Sequence, residues 1–353
     1  MESSMAAVVQ YGPQAGEVEV RDVPVPELAD GTVLLRVAAV GVCGTDVHQL
    51  YHTRKSSAGL PVTLGHEFAG TIAMVGSDAN GSDSVVFREG DRVVSETAES
   101  ICGACAYCRA GHYNVCPHRR GFGFRANGAM AAYVRVPVRC LHHVPDGLDI
   151  GVAALAEPCC VAYNAVIERS AVKPGDSVLV LGPGPIGLLS LAMARLSGAD
   201  TTVVAGLSSD AARLGMARDL GATYTVDLQS QDIREMVRGI GDGYGVDLVI
   251  DASGSSRALG TAMDAVRPMG QITKVGWGPE PLDISLDPIV AKAATLSGSF
   301  SHTYQTWERV IGLLSARALD TAPLVGLRVP LNEWRDGFEA MHQGRVVKSV
   351  LYP

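Results

Sequence analysis

A glycine-rich turn near the middle of the chain restricts the folds that this sequence can adopt. The apolar run 177–181 predicts a buried strand and the run 188–196 predicts a helix, with the turn directly between them. In dinucleotide-binding folds such glycines allow a tight turn and let the backbone approach a pyrophosphate at the helix N-terminus. A packing turn without a ligand is the alternative, but the strand–turn–helix context favours binding. The candidate cofactor-binding residues here are Gly182, Gly184, Pro185, Ile186 and Gly187.

Strand and helix patterns alternate from about 177 to 297, and this alternation predicts a doubly wound parallel sheet. Ligands of open α/β sheets bind beyond the carboxyl ends of the strands. We therefore expect Ser253 and Gly276, which follow two of the strands, and Val275, which ends one of them, to flank a nicotinamide. The further strands are expected at 201–205, 246–251 and 271–275, and the helices between them at 232–240 and 256–266.

The sequence before this region consists of short β-rich segments separated by turns and shows no helical period. It predicts a β-rich domain to which the chain returns at 295–300. The expected division is 1–157 with 298–353 for that domain, and 158–297 for the dinucleotide-binding domain. Its strands are expected at 7–10, 18–20, 33–40, 68–75, 91–94, 129–137, 139–144 and 348–351, and its late helices at 307–314 and 331–342.

Four of the eight cysteines lie in one short loop, within a lobe at about 95–120. Four thiolates at this spacing are typical of a closed, tetrahedral structural zinc site. A redox pair needs only two cysteines near a βαβ unit, and incidental thiols are the remaining alternative. Zinc would fix a loop that has little structure of its own. The four residues are Cys102, Cys105, Cys108 and Cys116.

A second group of metal-ligand types lies in the first 70 residues. Cys43, His66 and Glu67 offer a thiolate, an imidazole and a carboxylate, and three such ligands with an open fourth position are what a catalytic zinc needs. Thr45 and His48 place a hydroxyl and an imidazole near the same thiolate, as a relay for a released proton would require.

Asp46 lies three residues after Cys43. A metal-bound imidazole usually donates its other N–H to a carboxylate, and we predict that Asp46 accepts this bond from His66. A helix-capping aspartate is the alternative, and the two roles can coexist.

Composition excludes several classes of function. The net charge is −8 and there is no basic stripe, which argues against a nucleic-acid partner. The apolar stretch 178–194 has three glycines and two prolines in its first ten residues, so it fits a strand and a packed helix better than a membrane span.

The start, Met1-Glu2-Ser3-Ser4, shows no secretory signal. We expect a soluble, cytoplasmic protein whose thiols bind metal, and in which Cys140, without a partner at metal spacing, is a small buried hydrophobe.

The segment from Cys43 to His48, followed by Gly65-His66-Glu67, resembles the N-terminal signature of the zinc-dependent medium-chain alcohol and polyol dehydrogenases. The four-cysteine loop resembles the structural zinc lobe of that family, and the similarity extends over essentially the whole chain. The resemblance implies an α/β protein with a GroES-like β-rich catalytic domain and a Rossmann domain. It further implies two zinc ions per subunit, a homodimer or homotetramer, and hydride transfer between a secondary alcohol and NAD(P). The branch it resembles most contains the sorbitol and threonine dehydrogenases.

The resemblance also implies roles for single residues. Cys43 and His66 would bind the catalytic zinc, with Glu67 as third ligand or just behind the metal. Glu157 stands where the sorbitol and threonine dehydrogenase branches carry an acid, and would ligate zinc or hold the exchangeable water; Cys159 and Cys160 are possible substitutes. Thr45 would take the substrate proton and pass it through the cofactor ribose to His48. Lys348, in the closing segment, joins the cofactor-binding candidates.

The choice between NAD and NADP depends on the end of the second strand of the dinucleotide domain. A Rossmann site that prefers NAD carries an acid there, but this chain has Gly206. Ser208 and Arg213 could donate to a 2′-phosphate, which favours NADP modestly. There are two alternatives. Asp210 folds back towards this position, or Arg213 is an ordinary exposed helix residue.

Two other functions fit parts of the sequence. A zinc-free NADPH-dependent enone or quinone reductase would share the fold but would leave both metal-ligand clusters unexplained. A non-catalytic dinucleotide-binding protein would bind cofactor without turnover. For the dehydrogenase, the acid at Glu157 favours a polyol, sugar acid or amino alcohol over ethanol. Gln49 and Ser301-His302 depart from a sorbitol dehydrogenase pattern, which favours a related carbohydrate or cyclitol.

Overall fold

The computed structural model describes residues 3–54, 57–79, 86–278 and 280–353, so that Met1 and Glu2 of the N-terminal segment lie outside it. Two compact units are present: Met1–Glu157 with Thr303–Pro353, and Pro158–His302. Within the described residues the strands are β1 (Ser4–Gln10), β2 (Val18–Pro24), β3 (Thr32–Gly41), β4 (Val62–Thr63), β5 (Glu67–Val75), β6 (Arg92–Ser95), β7 (Tyr133–Pro137), β8 (Leu141–His143), β9 (Ser177–Leu181), β10 (Thr201–Gly206), β11 (Tyr224–Asp227), β12 (Val246–Asp251), β13 (Val266–Lys274), β14 (Thr295–Gly298), β15 (Val325–Pro330) and β16 (Lys348–Tyr352).

The α-helices are short, and the part of the chain described here has none that is long and apolar enough to cross a membrane. They are α1 (Gly44–Tyr51), α2 (Ala106–Arg109), α3 (Ile150–Ala153), α4 (Ala156–Tyr163), α5 (Pro185–Leu196), α6 (Ala211–Asp219), α7 (Ile233–Arg238), α8 (Ala258–Ala265), α9 (Asp287–Ala291), α10 (Tyr304–Ser315) and α11 (Trp334–His342).

The first unit is β-rich, as the sequence predicts. A seven-stranded sheet runs in the order β15-β16-β3-β5-β6-β8, with β7 also paired to β3, and a smaller sheet has the order β2-β1-β4. Apolar side chains that alternate along these strands meet α11 in one core, which includes the fully buried Leu35, Phe68, Phe122 and Phe338. The central strand β3 pairs with β5 and β16, and these three strands position the metal-ligand candidates.

The second unit contains a six-stranded, wholly parallel sheet in the order β11-β10-β9-β12-β13-β14. This is the doubly wound order in which the strand sequence reverses beside β9, the first strand of the sheet. The central strands β9, β10 and β12 are almost fully buried, as is typical of a parallel sheet with helices on both faces. The Rossmann prediction is confirmed.

Two predicted segments are wrong in detail. Thr295–Gly298 does not return to the first unit; it is the edge strand β14 and pairs in parallel with β13 over 271–274. The strand expected at 129–137 begins only at Tyr133, because Met130 and Ala131 instead run beside β1. The domain boundaries at 157/158 and 297/298 stay a prediction.

Candidate functional site

Helix α1 and its N-cap position four of the candidate residues: Cys43, Thr45, Asp46 and His48. Cys43 is its N-cap, and Asp46, in its first turn, accepts the backbone N–H of Cys43 at Oδ2 over 2.9 Å. This bond satisfies one of the amides that a helix start leaves unpaired, so the capping role expected as an alternative for Asp46 is present.

Strand pairing brings His66 and Glu67 close to Cys43. Gly41, at the end of β3, lies opposite Glu67, at the start of β5. A side chain at position 41 would put a Cβ 2.3 Å from Oε2 of Glu67, so only glycine leaves room for that carboxylate. As a result, the ligand atoms of Cys43, His66 and Glu67 all lie within 4.8 Å of one another. Their chemistry and spacing fit a zinc ion.

His66 and Asp46 face each other in the interior. Nδ1 of His66 lies 3.7 Å from Oδ1 of Asp46, beyond hydrogen-bond length, and both atoms are buried without a hydrogen-bond partner. Burial raises the pKa of Asp46. Burial alone would lower the pKa of His66, but Asp46 and Cys43 outweigh it and raise that pKa to about 10. Asp46 and Cys43 therefore favour a positive charge at this position, and the orienting role of Asp46 stays a prediction.

Lys348 has a partner that the sequence did not indicate. Its Nζ lies 2.6 Å from Oε1 and 2.5 Å from Oε2 of Glu67, and both side chains are buried. Burial opposes the ammonium form, but Glu67 outweighs it and holds the pKa of Lys348 above its usual range. The structure thus places Lys348 beside a candidate metal ligand. The cofactor-binding role expected for Lys348 stays a prediction.

Glu157 lies in the first turn of α4 and is buried. Burial is the main cause that raises the pKa of Glu67, and the charge of Glu157 raises it further. The same charge is a minor contribution to the raised pKa values of His66 and Lys348. Among the described residues, however, the group whose ligand atoms meet within 4.8 Å does not include Glu157, Cys159 or Cys160. Glu157 is therefore close enough to interact electrostatically with His66, Glu67 and Lys348. Direct ligation of zinc by Glu157 stays a prediction.

The two proton-relay candidates lie three residues apart on α1. Oγ1 of Thr45 is buried and has no hydrogen-bond partner in the structure. His48 is exposed and stacks on His52 with ring centroids 4.3 Å apart. Partial burial and then the charge of His52 lower the pKa of His48. Thr45 thus lies at the inner end, and His48 at the solvent end, of one helix face.

The four cysteines of the loop converge as the spacing predicts. Their sulfurs lie within 4.8 Å of one another, with Cys102 Sγ 3.6 Å from that of Cys116 and 4.0 Å from that of Cys108. Backbone N–H groups of Ala104 and Cys105 point at Cys102 and lower its pKa to about 6. Burial and the neighbouring thiols raise the pKa of Cys108 to about 12, so the fit to zinc comes from the convergence of the four sulfurs, each of which would bind a metal as its thiolate. Cys140 is fully buried and donates to the carbonyl of Ala98, as expected for a structural thiol.

A buried polar network beside the cysteine loop was not expected from the sequence. The hydroxyl of Tyr113, just before Cys116, lies 2.9 Å from both carboxylate oxygens of Glu96 and accepts the backbone N–H of Tyr304. His142 lies between Glu96 and Glu308, with Nδ1 2.5 Å from Glu308 Oε1. No local pattern reveals it, because directly bonded members are up to 191 residues apart.

In the second unit two glycines of the central turn, Gly182 and Gly187, are required by close contacts. Gly182 has φ +90°, and a Cβ there would lie 2.5 Å from Ser253 Cα. A Cβ at Gly187 would lie 1.9 Å from the carbonyl oxygen of Gly182, so α5 packs directly on the turn. Gly184, the N-cap of α5, has open space around it. The first turn of α5, which contains Pro185 and Ile186, follows directly, and a helix start without crowding at its N-cap is what an approaching pyrophosphate needs.

The predicted nicotinamide-side turns meet around Asp251, at the carboxyl end of β12. Ser253 Oγ donates to Asp251 Oδ1 over 2.7 Å. The backbone N–H groups of Val275 and Gly276 both donate to the carbonyl of Asp251. The structure therefore brings Ser253, Val275 and Gly276 together at one edge of the sheet.

The region expected to bind the ribose, at the end of β10, has more acidic side chains around it than the sequence suggested. A Cβ at Gly206 would lie 2.9 Å from the Pro183 ring. Ser208 Oγ donates to Asp227 Oδ2 over 2.6 Å, and this hydrogen bond is the main reason that the pKa of Asp227 is lowered. Asp210 does fold back: it accepts the N–H of Leu207 and lies 3.4 Å from Nη1 of Arg213. Asp227, at the end of the neighbouring strand β11, was missed because its position follows from strand pairing.

Comparison with known proteins agrees with this geometry. Residues 29–146 match the alcohol dehydrogenase GroES-like domain, and residues 185–316 match the zinc-binding dehydrogenase domain. The chain is 37% identical to a sorbitol dehydrogenase of Halalkalibacterium halodurans, with 99% of each chain covered. It is 36% identical to a D-arabitol-phosphate dehydrogenase of Enterococcus avium, covering 99% of this chain and 98% of the relative.

Solved structures give the same result. A zinc-binding dehydrogenase from Sinorhizobium meliloti, determined with NADP bound, superposes with a TM-score of 0.89 at 31% identity, and both chains are fully covered. Family models, sequence relatives and structure agree over both units. The chain belongs to the zinc-dependent medium-chain alcohol dehydrogenases and is an oxidoreductase of that family.

Proposed function

We propose that this enzyme interconverts a polyol, or a related secondary alcohol, and its ketone with NAD(P) as hydride acceptor. The observation that supports this most directly is the convergence of Cys43, His66 and Glu67 on one point. The similar sorbitol and D-arabitol-phosphate dehydrogenases favour a sugar alcohol, free or phosphorylated. In the overall reaction the alcohol carbon loses a hydride to NAD(P)⁺, and its hydroxyl loses a proton.

Two zinc ions per chain are part of the proposal. Cys43, His66 and Glu67 would hold the catalytic ion, and the four-cysteine loop would hold the structural ion. When bound, the catalytic zinc supplies a Lewis acid that lowers the pKa of an alcohol hydroxyl by several units. Lys348 would hold Glu67 in place through their ion pair, and Asp46 would orient the His66 ring. Glu157 adds negative charge near the same group.

Thr45 and His48 handle the proton. Thr45 Oγ1 is buried and without a partner, so it is available to accept the substrate hydroxyl proton. His48, at the exposed end of the same face, is mainly neutral at neutral pH because its pKa is lowered, and it can pass a proton to solvent.

The cofactor is assigned to the turn at Gly182, Gly184 and Gly187, with a modest preference for NADP. Gly206 supports this preference because no carboxylate occupies its position, and Arg213 supplies a positive charge nearby. Asp210 and Asp227 oppose it. The ratio of kcat/KM for NADP to that for NAD measures the preference. Arg213→Ala should lower this ratio, and an unchanged ratio would remove Arg213 from the site.

The central experiment is a zinc assay combined with NAD(P)-dependent oxidation of an alcohol panel that includes sorbitol, arabitol, a sugar alcohol phosphate, threonine and ethanol. We expect zinc, and turnover of at least one polyol. Cys43→Ser should abolish oxidation without a change in the far-UV circular dichroism spectrum, whereas Cys140→Ser, a matched loss of one thiol, should stay active. Near-normal turnover by Cys43→Ser would contradict the proposal, and a zinc-free active protein would favour the reductase alternative. Sedimentation of the same preparation tests the expected homodimer or homotetramer.

A further inference from the structure

Helix α1 carries two exposed histidines at its C-terminal end. His48 lies in the last turn, and His52 is the C-cap residue four positions later. The backbone N–H of His52 donates to the carbonyl of His48 over 2.9 Å, so the helical spacing extends as far as the second histidine. Residues four apart on a helix lie on one face, and the two imidazoles therefore lie side by side at the surface.

The two rings are already in contact. Their centroids are 4.3 Å apart and their planes differ by 19°. Among the residues that the structure describes, neither ring is paired with a carboxylate. Partial burial and then the charge of His52 lower the pKa of His48, so at neutral pH this imidazole is in the form that has a free lone pair.

Two neutral imidazoles at this spacing form a chelate for a transition-metal cation. Histidines four apart on one helix face are a recurrent pair of zinc ligands. Each Zn–N bond is about 2.0–2.1 Å long, so two nitrogens on one tetrahedral ion lie about 3.3 Å apart. Rings stacked as these are reach that separation by a small side-chain rotation. The C-terminal end of a helix, where the carbonyl dipoles accumulate negative charge, also favours a bound cation.

No other two histidines of the chain have this spacing. Of the nine in the sequence, only His48 and His52 are four residues apart. His143, for example, is exposed on β8 and stacks on the ring of Phe87 with centroids 4.5 Å apart. It offers a single imidazole, and one ligand holds a metal ion much more weakly than two that bind together.

We propose that His48 and His52 form a third metal site, which takes a transition-metal cation such as Zn²⁺, and that an ion bound there slows the enzyme. A metal-bound imidazole has no lone pair left to accept a proton, so His48 cannot then pass the substrate proton to solvent. The inhibition rests on the proposed function, in which His48 is the outer end of the proton relay, whereas the binding does not. Mg²⁺ prefers oxygen ligands and should not occupy the site.

Calorimetric titration of the dialysed holoenzyme with Zn²⁺ tests the site independently of turnover. Wild-type protein, with its resident zinc first measured by metal analysis, should bind one further ion per chain, and Mg²⁺ should give no signal. His52→Gln and His48→Gln each leave one imidazole and should weaken this binding by at least about tenfold. His143→Gln is the matched control, because it removes an exposed imidazole outside the pair and should bind Zn²⁺ as the wild type does.

Inhibition is then measured at pH 7 with Zn²⁺ at about ten times the dissociation constant found by titration, where mass action fills about nine-tenths of the sites. The kcat of the wild type should fall by about fivefold, because the relay is blocked in most molecules. His52→Gln, compared with the same variant without added Zn²⁺, should lose less than about twofold. His143→Gln should be inhibited like the wild type.

Three results would overturn the proposal. They are the absence of a further ion in the wild type, unchanged Zn²⁺ binding or inhibition in His52→Gln, and a bound ion that leaves kcat unaltered. Absence of turnover on every alcohol would instead contradict the proposed function, and the titration would still decide whether His48 and His52 bind metal.

Discussion

The ammonium nitrogen of Lys348 lies within 2.6 Å of both carboxylate oxygens of Glu67, although the two residues are 281 positions apart. Strand β16 carries Lys348 and strand β5 carries Glu67, and both strands neighbour β3. Their side chains are 3% and 1% exposed. Both charges are thus removed from water, and each is compensated by the other. The pair includes a candidate zinc ligand, because Glu67 is one of its members.

Replacing one partner of this pair should destabilise the fold strongly. Lys348→Met leaves the Glu67 carboxylate buried and uncompensated, and we expect the free energy of unfolding to fall by about 3–5 kcal/mol. Urea unfolding followed by circular dichroism measures this loss. Arg234→Met breaks a surface pair with Asp264, in which the side chains are 61% and 40% exposed, and should change stability by less than about 1 kcal/mol. Equal effects of the two substitutions would show that the buried pair is not a structural element.

The four-cysteine loop should hold one zinc ion independently of the catalytic site. Cys105→Ser is expected to lower the zinc content from about two ions per chain to about one, and to lower the melting temperature, because structural zinc contributes folding free energy. Metal analysis of the dialysed protein provides the measurement. Cys140→Ser removes a thiol that lies outside the cluster and should keep both ions. Full zinc content in Cys105→Ser would disprove the assignment.

The pH dependence of alcohol oxidation should report on His48. A proton acceptor works in its neutral form, and partial burial with the nearby His52 lowers the pKa of His48 below its usual 6.5. The acidic limb of the kcat profile should therefore lie below pH 6.5. His52→Gln removes a repelling charge, raises the pKa of His48, and should move that limb to higher pH.

His48→Gln should slow oxidation by up to about 100-fold at low pH and less at high pH, where solvent accepts the proton more readily. Stopped-flow kinetics between pH 5 and 9 distinguish these cases. A limb that stays in place in His52→Gln would mean that another group controls it.

Tyr113→Phe should destabilise the first unit, because Tyr113 donates to the buried Glu96. Loss of a hydrogen bond to a charged group typically costs about 1.5–3 kcal/mol. Tyr107, in the same loop, is 53% exposed, so Tyr107→Phe is a suitable control and should be nearly neutral. Thermal unfolding of the two variants gives the comparison. If Tyr113→Phe were as stable as Tyr107→Phe, the network would not hold the loop.

The sequence predicted best those features whose residues are near one another in the chain. The four-cysteine site lies within 15 residues, so the spacing itself limits how far apart the sulfurs can be. The glycine turn is equally local, and β9 has the predicted bounds. Helix α5 begins at Pro185 instead of Leu188, because proline suits the first helical position and does not mark a break there.

Other predictions failed where an element gives no apolar signal. Strand β14 is mostly exposed at the edge of its sheet, so its residues carry little pattern to show which sheet they join. Only pairing with β13 decides that Thr295–Gly298 belongs to the parallel sheet.

The amino-acid sequence alone determined the two fold types, the cysteine spacing and the glycine turn, because each depends on short-range periodicity or on ligands a few residues apart. The tertiary structure decided which charges and polar groups meet in the interior. Glu67 with Lys348 and Tyr113 with Glu96 both depend on strand pairing and packing between distant segments. No local sequence pattern indicates these contacts, because the type of a residue does not show whether its partner is protein, metal or substrate.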